Sequence, residues 1–164
     1  MLFRSKHSIT IDGKKETFEL PSFQSNKVDF KELENGSYNF KKMDLDRDDL
    51  MEIPLFKLAF ARSGDKGNHA NIGVIARKPE YFEYINNELT SKAVENYFSH
   101  VLEGKVLSWC VPSINGINFL LKDSLGGGGM ASMSIDPQGK SYAQQLLDYE
   151  IPVDDELYSS LNKR

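Results

Sequence analysis

Apolar and polar residues alternate along Ser8 to Leu20 (S-I-T-I-D-G-K-K-E-T-F-E-L), on both sides of Asp12-Gly13. Period-two alternation marks a half-buried strand, and Asp-Gly favours a type I′ turn, so a small hairpin is predicted. Periodicity then fades over Pro21 to Asp49. Asn35-Gly36 is a second turn signal and Lys41 to Asp49 a charge cluster, which reads as an irregular surface arm with short strands. Phe23, Phe30, Tyr38 and Phe40 are too many aromatics for a wholly disordered linker. They are expected to dock on the domain or on a neighbouring subunit.

Ile53 to Ala61 predicts a first core strand and Asn71 to Arg77 a second, antiparallel neighbours joined by a polar loop. Pro79 suits a helix start, and Tyr81, Phe82, Tyr84, Ile85 and Leu89 follow at helical spacing. Thr90 or Ser91 caps a second helix with Val94, Tyr97, Phe98 and Val101 as its apolar stripe, and Gly104 stops it. Lys105 to Val111 is β-branched and aromatic enough for a third strand, ended by Pro112. Periodicity alone does not settle Ser113 to Ser124, but Ser113 as cap and Gly126 as stop favour a helix. Met130 to Ile135 predicts the fourth strand, Asp136-Pro137-Gln138-Gly139 a turn, and Lys140 to about Tyr149 a helix.

Four short strands with helices interspersed predict an α+β fold whose sheet is covered by helices on one face. The expected organisation is an N-terminal extension (1–50), a domain (51–153) and a polar C-terminal tail (154–164). Of 164 residues, 40% are apolar and 11% aromatic, enough for a real core. A net charge of −4 with both signs interspersed lacks the basic footprint of a nucleic-acid binder. The single cysteine, Cys110, allows no intramolecular disulfide, and no apolar run approaches the roughly 20 residues of a spanning helix. Arg4 and Lys6 with Ser5 and Ser8 faintly suggest an organelle-targeting segment, but Glu16 and Glu19 interrupt it. A soluble cytoplasmic protein is expected, with no membrane and no nucleic-acid partner.

Polar chemistry is concentrated in Ala61 to Arg77, A-R-S-G-D-K-G-N-H-A-N-I-G-V-I-A-R. Gly64, Gly67 and Gly73 allow close backbone approach, and exposed amides converging with Arg62 and Lys66 would form a concavity for phosphate or carboxylate. Neither the P-loop spacing nor G-x-G-x-x-G is present. The alternative is a plain connection whose glycines serve geometry and whose charges are solvated. Gly126 to Gly129 poses the same choice between a helix cap with a bend and a close approach to a ligand. His69, which Asp65 could orient, is a candidate general base with a structural role as the alternative, and no nucleophile accompanies it: Ser63 lacks an elbow setting, and Cys110 and Trp109 read as core residues of a strand. His7, His69, His100 and Cys110 are scattered without ligand spacing, so neither a metal nor a cofactor is predicted.

The run at 61–77, followed by Leu125-Gly126-Gly127-Gly128 and Asp136-Pro137-Gln138-Gly139-Lys140, resembles the small C-terminal domain of the acyclic terpene utilisation protein A (AtuA) family and its free-standing AtuA-like form. The resemblance covers about Pro54 to Val153. It implies a ferredoxin-like fold and an association with branched isoprenoid acids carried as coenzyme A thioesters. The candidate ligand-binding set is Arg62, Ser63, Gly64, Asp65, Lys66, Gly67 and Asn71, with Gly126, Gly127 and Gly128 as an opposite wall. Candidate partners are an anionic small molecule or acyl coenzyme A, a larger AtuA-type subunit, and a second copy of the chain. The alternative function is a non-catalytic assembly module.

Overall fold

The computed structural model describes residues 7–18 and 50–162. Its contacts divide the chain into two compact units, Met1–Phe30 and Lys31–Arg164. In the first, β1 (His7–Ile11) and β2 (Lys14–Phe18) pair antiparallel, with Ile11 opposite Lys14. Asp12 at φ 50° and Gly13 at φ 76° supply the two positive φ angles that a type I′ turn requires. The arm expected over Pro21 to Asp49, with its Asn35-Gly36 turn and its aromatics, lies outside the described residues.

The described part of the second unit opens with β3 (Met51–Pro54) and a 3-10 turn (Leu55–Lys57), then β4 (Ala59–Lys66) and β5 (His69–Ala76). Helices α1 (Phe82–Glu88) and α2 (Ser91–Tyr97) follow; the Thr90 side chain caps α2 by accepting from the Ala93 N–H. Next come β6 (Val106–Val111), β7 (Gly116–Leu121), α3 (Tyr142–Leu146), β8 (Glu150–Val153) and α4 (Asp155–Asn162). The main sheet has the order β4-β5-β7-β6 and is antiparallel throughout. Since β5 and β6 both oppose β7, they run parallel to each other with β7 between them, a split β-α-β arrangement. As expected, two adjacent strands precede the first helix.

Alternation along the strands separates two faces. Ala70, Ile72 and Val74 of β5 and Ile117, Phe119 and Leu121 of β7 are buried with Phe82, Ile85, Val94, Phe98 and Leu146 of the helices. Burying a side chain of this size is worth about 1.5–3 kcal/mol, so this layer is the main source of stability. The opposite face carries Arg62, Gly64, Asn71, Gly73, Asn118, Leu120, Leu107 and Trp109, all half-buried or exposed. The protein is thus α+β, with one helix-covered sheet face.

Several elements differ from expectation. Arg62 to Lys66 belong to β4, and the polar loop shrinks to Gly67-Asn68 between the paired Lys66 and His69. Ser113 to Ser124 contains strand β7 in place of a helix: a strand inside the sheet is apolar at successive positions, and Asn115 in a left-handed conformation starts it. Met130 to Ile135 forms turns and bends, so the fourth strand of the sheet is β7. The helix expected over Lys140 to Tyr149 is the shorter α3. Beyond it, β8 pairs with β3, and α4 buries Leu157 where a polar tail was expected. Among the described residues no helix is long and apolar enough to cross a membrane.

Candidate anion-binding site

Gly67 at φ 68° opens the β4–β5 connection, while Asn68 has no positive φ, the pattern of a type II′ turn with glycine at its first central position. The turn is anchored from a distant part of the chain. The Asn68 carbonyl accepts from the N–H groups of Ser124 and Leu125, its side-chain oxygen accepts from the Gly127 N–H at 2.6 Å, and its amide donates to Asp123 Oδ1 at 3.0 Å. Gly128 lies so close beneath the turn that a Cβ on it would come within 2.8 Å of the Gly67 carbonyl oxygen. The two glycine-rich stretches therefore meet at one end of the sheet, backbone against backbone.

Beside this end, along β4, is an open hollow of about 420 Å³ lined by Arg62, Ser63, Gly64, Asp65, Lys66, Asn71, Gly73 and Lys140. Gly64 and Gly73 deepen it because they present no side chain. The cations Arg62, Lys66 and Lys140 outnumber the single carboxylate, Asp65. Among the described residues the lysine–carboxylate ion pairs are Lys78–Glu80 and Lys92–Glu95, and Asp123 stands beside His69, so among them none of these three cations is paired with an acid. Lys66 Nζ donates to the Asp65 carbonyl oxygen at 3.0 Å. Asn71 Nδ2 donates to Asn118 Oδ1 at 2.7 Å, which fixes both amides on the open face.

The sequence model of the AtuA ferredoxin-like domain family matches residues 53–152. The chain belongs to that family. No curated protein and no solved structure shows significant similarity to it. The AtuA ferredoxin-like domain spans β3 through most of β8, and therefore includes the whole main sheet and the hollow.

Within this domain the candidate residues separate by position. Arg62, Ser63, Gly64, Asp65, Lys66 and Asn71 line the hollow; Gly67 forms the turn beside it, and Gly126, Gly127 and Gly128 support that turn from outside the lining. The wall facing β4 includes Lys140, which the sequence reading left out of the set. Only the fold reveals it: the Ser63 hydroxyl donates to the Lys140 carbonyl at 3.1 Å and accepts from the Ala143 N–H at 2.9 Å, joining segments 77 residues apart. Both of these hydroxyl bonds are architectural. The Asp136 carboxylate holds the same turn. Burial works to raise this carboxyl, but hydrogen bonds from the Ser141 hydroxyl and the N–H groups of Ser141, Lys140 and Gln138 outweigh it and hold the group below its ordinary range.

His69 is committed elsewhere. Its Nδ1 accepts from the Asp123 N–H at 2.9 Å with Asp123 Oδ1 3.5 Å away, so its carboxylate neighbour is Asp123 and not Asp65. An Nδ1 that accepts carries no proton, which leaves Nε2 as the protonated nitrogen of the neutral ring. Burial pushes the Cys110 thiol up, with a backbone bond from Val111 opposing, so the group stays protonated and unreactive at neutral pH. Trp109, expected in the core, lies half-buried on the open face opposite Asn118, because the β6 register places Cys110 and not Trp109 towards the helices. A larger hollow of about 570 Å³ between Lys78–Tyr84 and Asp154–Ser160 carries Glu80, Glu83, Asp154 and Glu156 against Lys78. It repels anions.

Proposed function

We propose that this AtuA ferredoxin-like domain acts as a small subunit or detached domain of an acyclic-terpene-utilisation-type protein and binds an anionic group in the hollow along β4. The observation that supports this most is the convergence of Arg62, Lys66 and Lys140, none paired with an acid among the described residues, around bare glycine backbone. Arg62 presents a planar fork suited to phosphate or carboxylate oxygens, and the two lysines add point charges. The phosphates of coenzyme A or the free carboxylate of an acyl group fit that chemistry. The described residues around the hollow present no nucleophile with a free base beside it, so the reading is binding and positioning.

Ligand-dependent thermal stability tests this. At a concentration 100 times its Kd, a bound acyl coenzyme A adds about 2.7 kcal/mol, and each kcal/mol raises Tm by about 2–4 °C for a chain of this size. Arg62→Ala and Lys140→Ala should leave the ligand-free Tm nearly unchanged and remove most of the shift. Equal shifts in wild type and variants, or none with any coenzyme A thioester or phosphate, would refute the site.

A second reading, a non-catalytic module that oligomerises or docks on a larger subunit, is favoured by a different observation. Met130, Met133 and Ile135 are fully exposed, and Phe60 (58%) and Ile114 (50%) are half-exposed. Apolar surface of this kind marks contact sites.

A further inference from the structure

Two apolar features of the domain stay exposed at opposite ends of the sheet, the second of them touched at its edge by the Arg77 guanidinium, which lies 3.9 Å from the centre of the Phe60 ring. The first is the loop that leaves Gly128. It is folded: the Ala131 and Ser132 N–H groups both donate to the Gly128 carbonyl, at 3.0 and 2.8 Å, and the Ser132 and Ser134 hydroxyls bond at 2.8 Å. This small frame, seated on the Gly67 turn, holds Met130, Met133 and Ile135 wholly in solvent. The second feature is a patch on the open sheet face. Phe60 stands opposite Ile75, Ile75 opposite Gly116, and Gly116 opposite Val111. A Cβ on Gly116 would lie 3.4 Å from both Ile114 and Ile75, so these side chains close over the glycine and make the patch continuous.

From the Gly67 turn to Phe60 the chain runs along β4 at about 3.3 Å per residue, which separates loop and patch by roughly 20 Å. The loop cannot cover its own patch. In a second copy turned end for end, the loop of each chain reaches the patch of the other. We propose that the domain forms a two-fold dimer in which Met130, Met133 and Ile135 of each copy pack on Phe60, Ile75, Val111 and Ile114 of the other. This rests on the assembly reading above and assigns its surface.

Area decides between one contact and two. At roughly 200 Å² for a large, fully exposed side chain, the loop offers about 600 Å² and the patch about 400 Å². One contact buries at most about 1,000 Å², below the roughly 1,200 Å² of a stable interface, whereas two reciprocal contacts reach about 2,000 Å². Reciprocity also closes the assembly, since a one-way contact between unlike surfaces would propagate as a filament. Charge argues against a lipid surface as occupant: residues 126–135 contain no Lys or Arg, and the chain carries a net charge of −4. The loop is also free of acids, so like-charge repulsion does not oppose a second copy. Methionines at its tip can adapt to the patch.

Sedimentation and cysteine cross-linking of the full chain test the proposal, with circular dichroism to confirm that each variant is folded. Wild type should be a dimer at micromolar concentration. Met133→Asp and Ile75→Asp should each shift it to monomer. In a Cys110→Ser background, mixed Met133→Cys and Ile75→Cys chains should form a disulfide-linked dimer, whereas Met133→Cys alone should not. A dimer that survives both aspartate variants overturns the surface while leaving assembly intact. A wild-type monomer overturns the dimer and the self-association reading together, and leaves the anion site untouched.

Discussion

Two neighbouring glycines in one run should respond in opposite ways to the same added methyl group. Gly128 has φ 86°, and a Cβ there would meet the Gly67 carbonyl oxygen at 2.8 Å and the Gly67 carbonyl carbon at 3.1 Å. The obstacle is backbone, which cannot swing aside as a side-chain tip does. A non-glycine residue in a left-handed conformation costs about 1–2 kcal/mol. Pushing the turn away also weakens the Asn68–Gly127 bond, worth about 1 kcal/mol. Gly128→Ala should therefore cost about 2–4 kcal/mol, or roughly 5–15 °C in Tm at 2–4 °C per kcal/mol. Gly129 lacks a positive φ, and its nearest neighbours are Gln138 Cγ at 3.7 Å and Nε2 at 3.9 Å, ordinary contact distances. Gly129→Ala should be neutral or stabilise by up to about 1 kcal/mol, because it restricts the unfolded chain. Urea unfolding followed by circular dichroism measures both. Equal losses at the two positions would refute the argument that Gly128 is bare because the hairpin turn rests on it.

Two further outcomes follow from the hydrogen bonds. The Asp136 carboxyl titrates below its ordinary value in the folded protein, so its contribution is fully present above the unfolded pKa of about 3.9 and is lost as pH falls through the lower folded value. Wild type should melt above Asp136→Asn at pH 7, and the difference should shrink towards pH 2; a constant gap would show that the charge is not what matters. Asp154 accepts from the Tyr84 hydroxyl through one oxygen and from the Leu157 N–H at 2.8 Å through the other, so it both caps α4 and ties it to α1. Asp154→Ala should cost about 1–2 kcal/mol as a lost cap, more than Tyr84→Phe at about 0.5–1.5 kcal/mol, in chemical denaturation; the reverse order would contradict the dual role.

Local signals were readable where local chemistry decides the backbone. Asp12-Gly13 gives its hairpin because both residues accept positive φ, and Thr90 caps α2 because its hydroxyl reaches the Ala93 N–H. Tertiary context decided the rest. Ile117, Phe119, Leu120 and Leu121 form an apolar run that suits a helix as well as a strand, and only pairing with β5 and β6 on either side makes it β7. Met130 to Ile135 alternates like a strand but finds no ladder partner. Glu150–Val153 tolerates Pro152 as a strand because a two-stranded ribbon leaves an edge on which a proline need not donate a ladder bond. At the site, Arg62 and Lys66 both line the hollow along β4. Lys140 could not be placed beside them without knowing that the Asp136–Ser141 turn folds back onto Ser63.

The most direct test of the anion hollow is amide chemical-shift mapping of isotope-labelled protein titrated with inorganic phosphate and then with a coenzyme A thioester. Shifts that saturate and cluster at Arg62 to Lys66, Asn71 to Gly73 and Lys140, and that disappear in Arg62→Ala, are the predicted result. Shifts centred instead on the acidic hollow at Lys78 to Tyr84, or an unchanged spectrum with both ligands, would contradict the account.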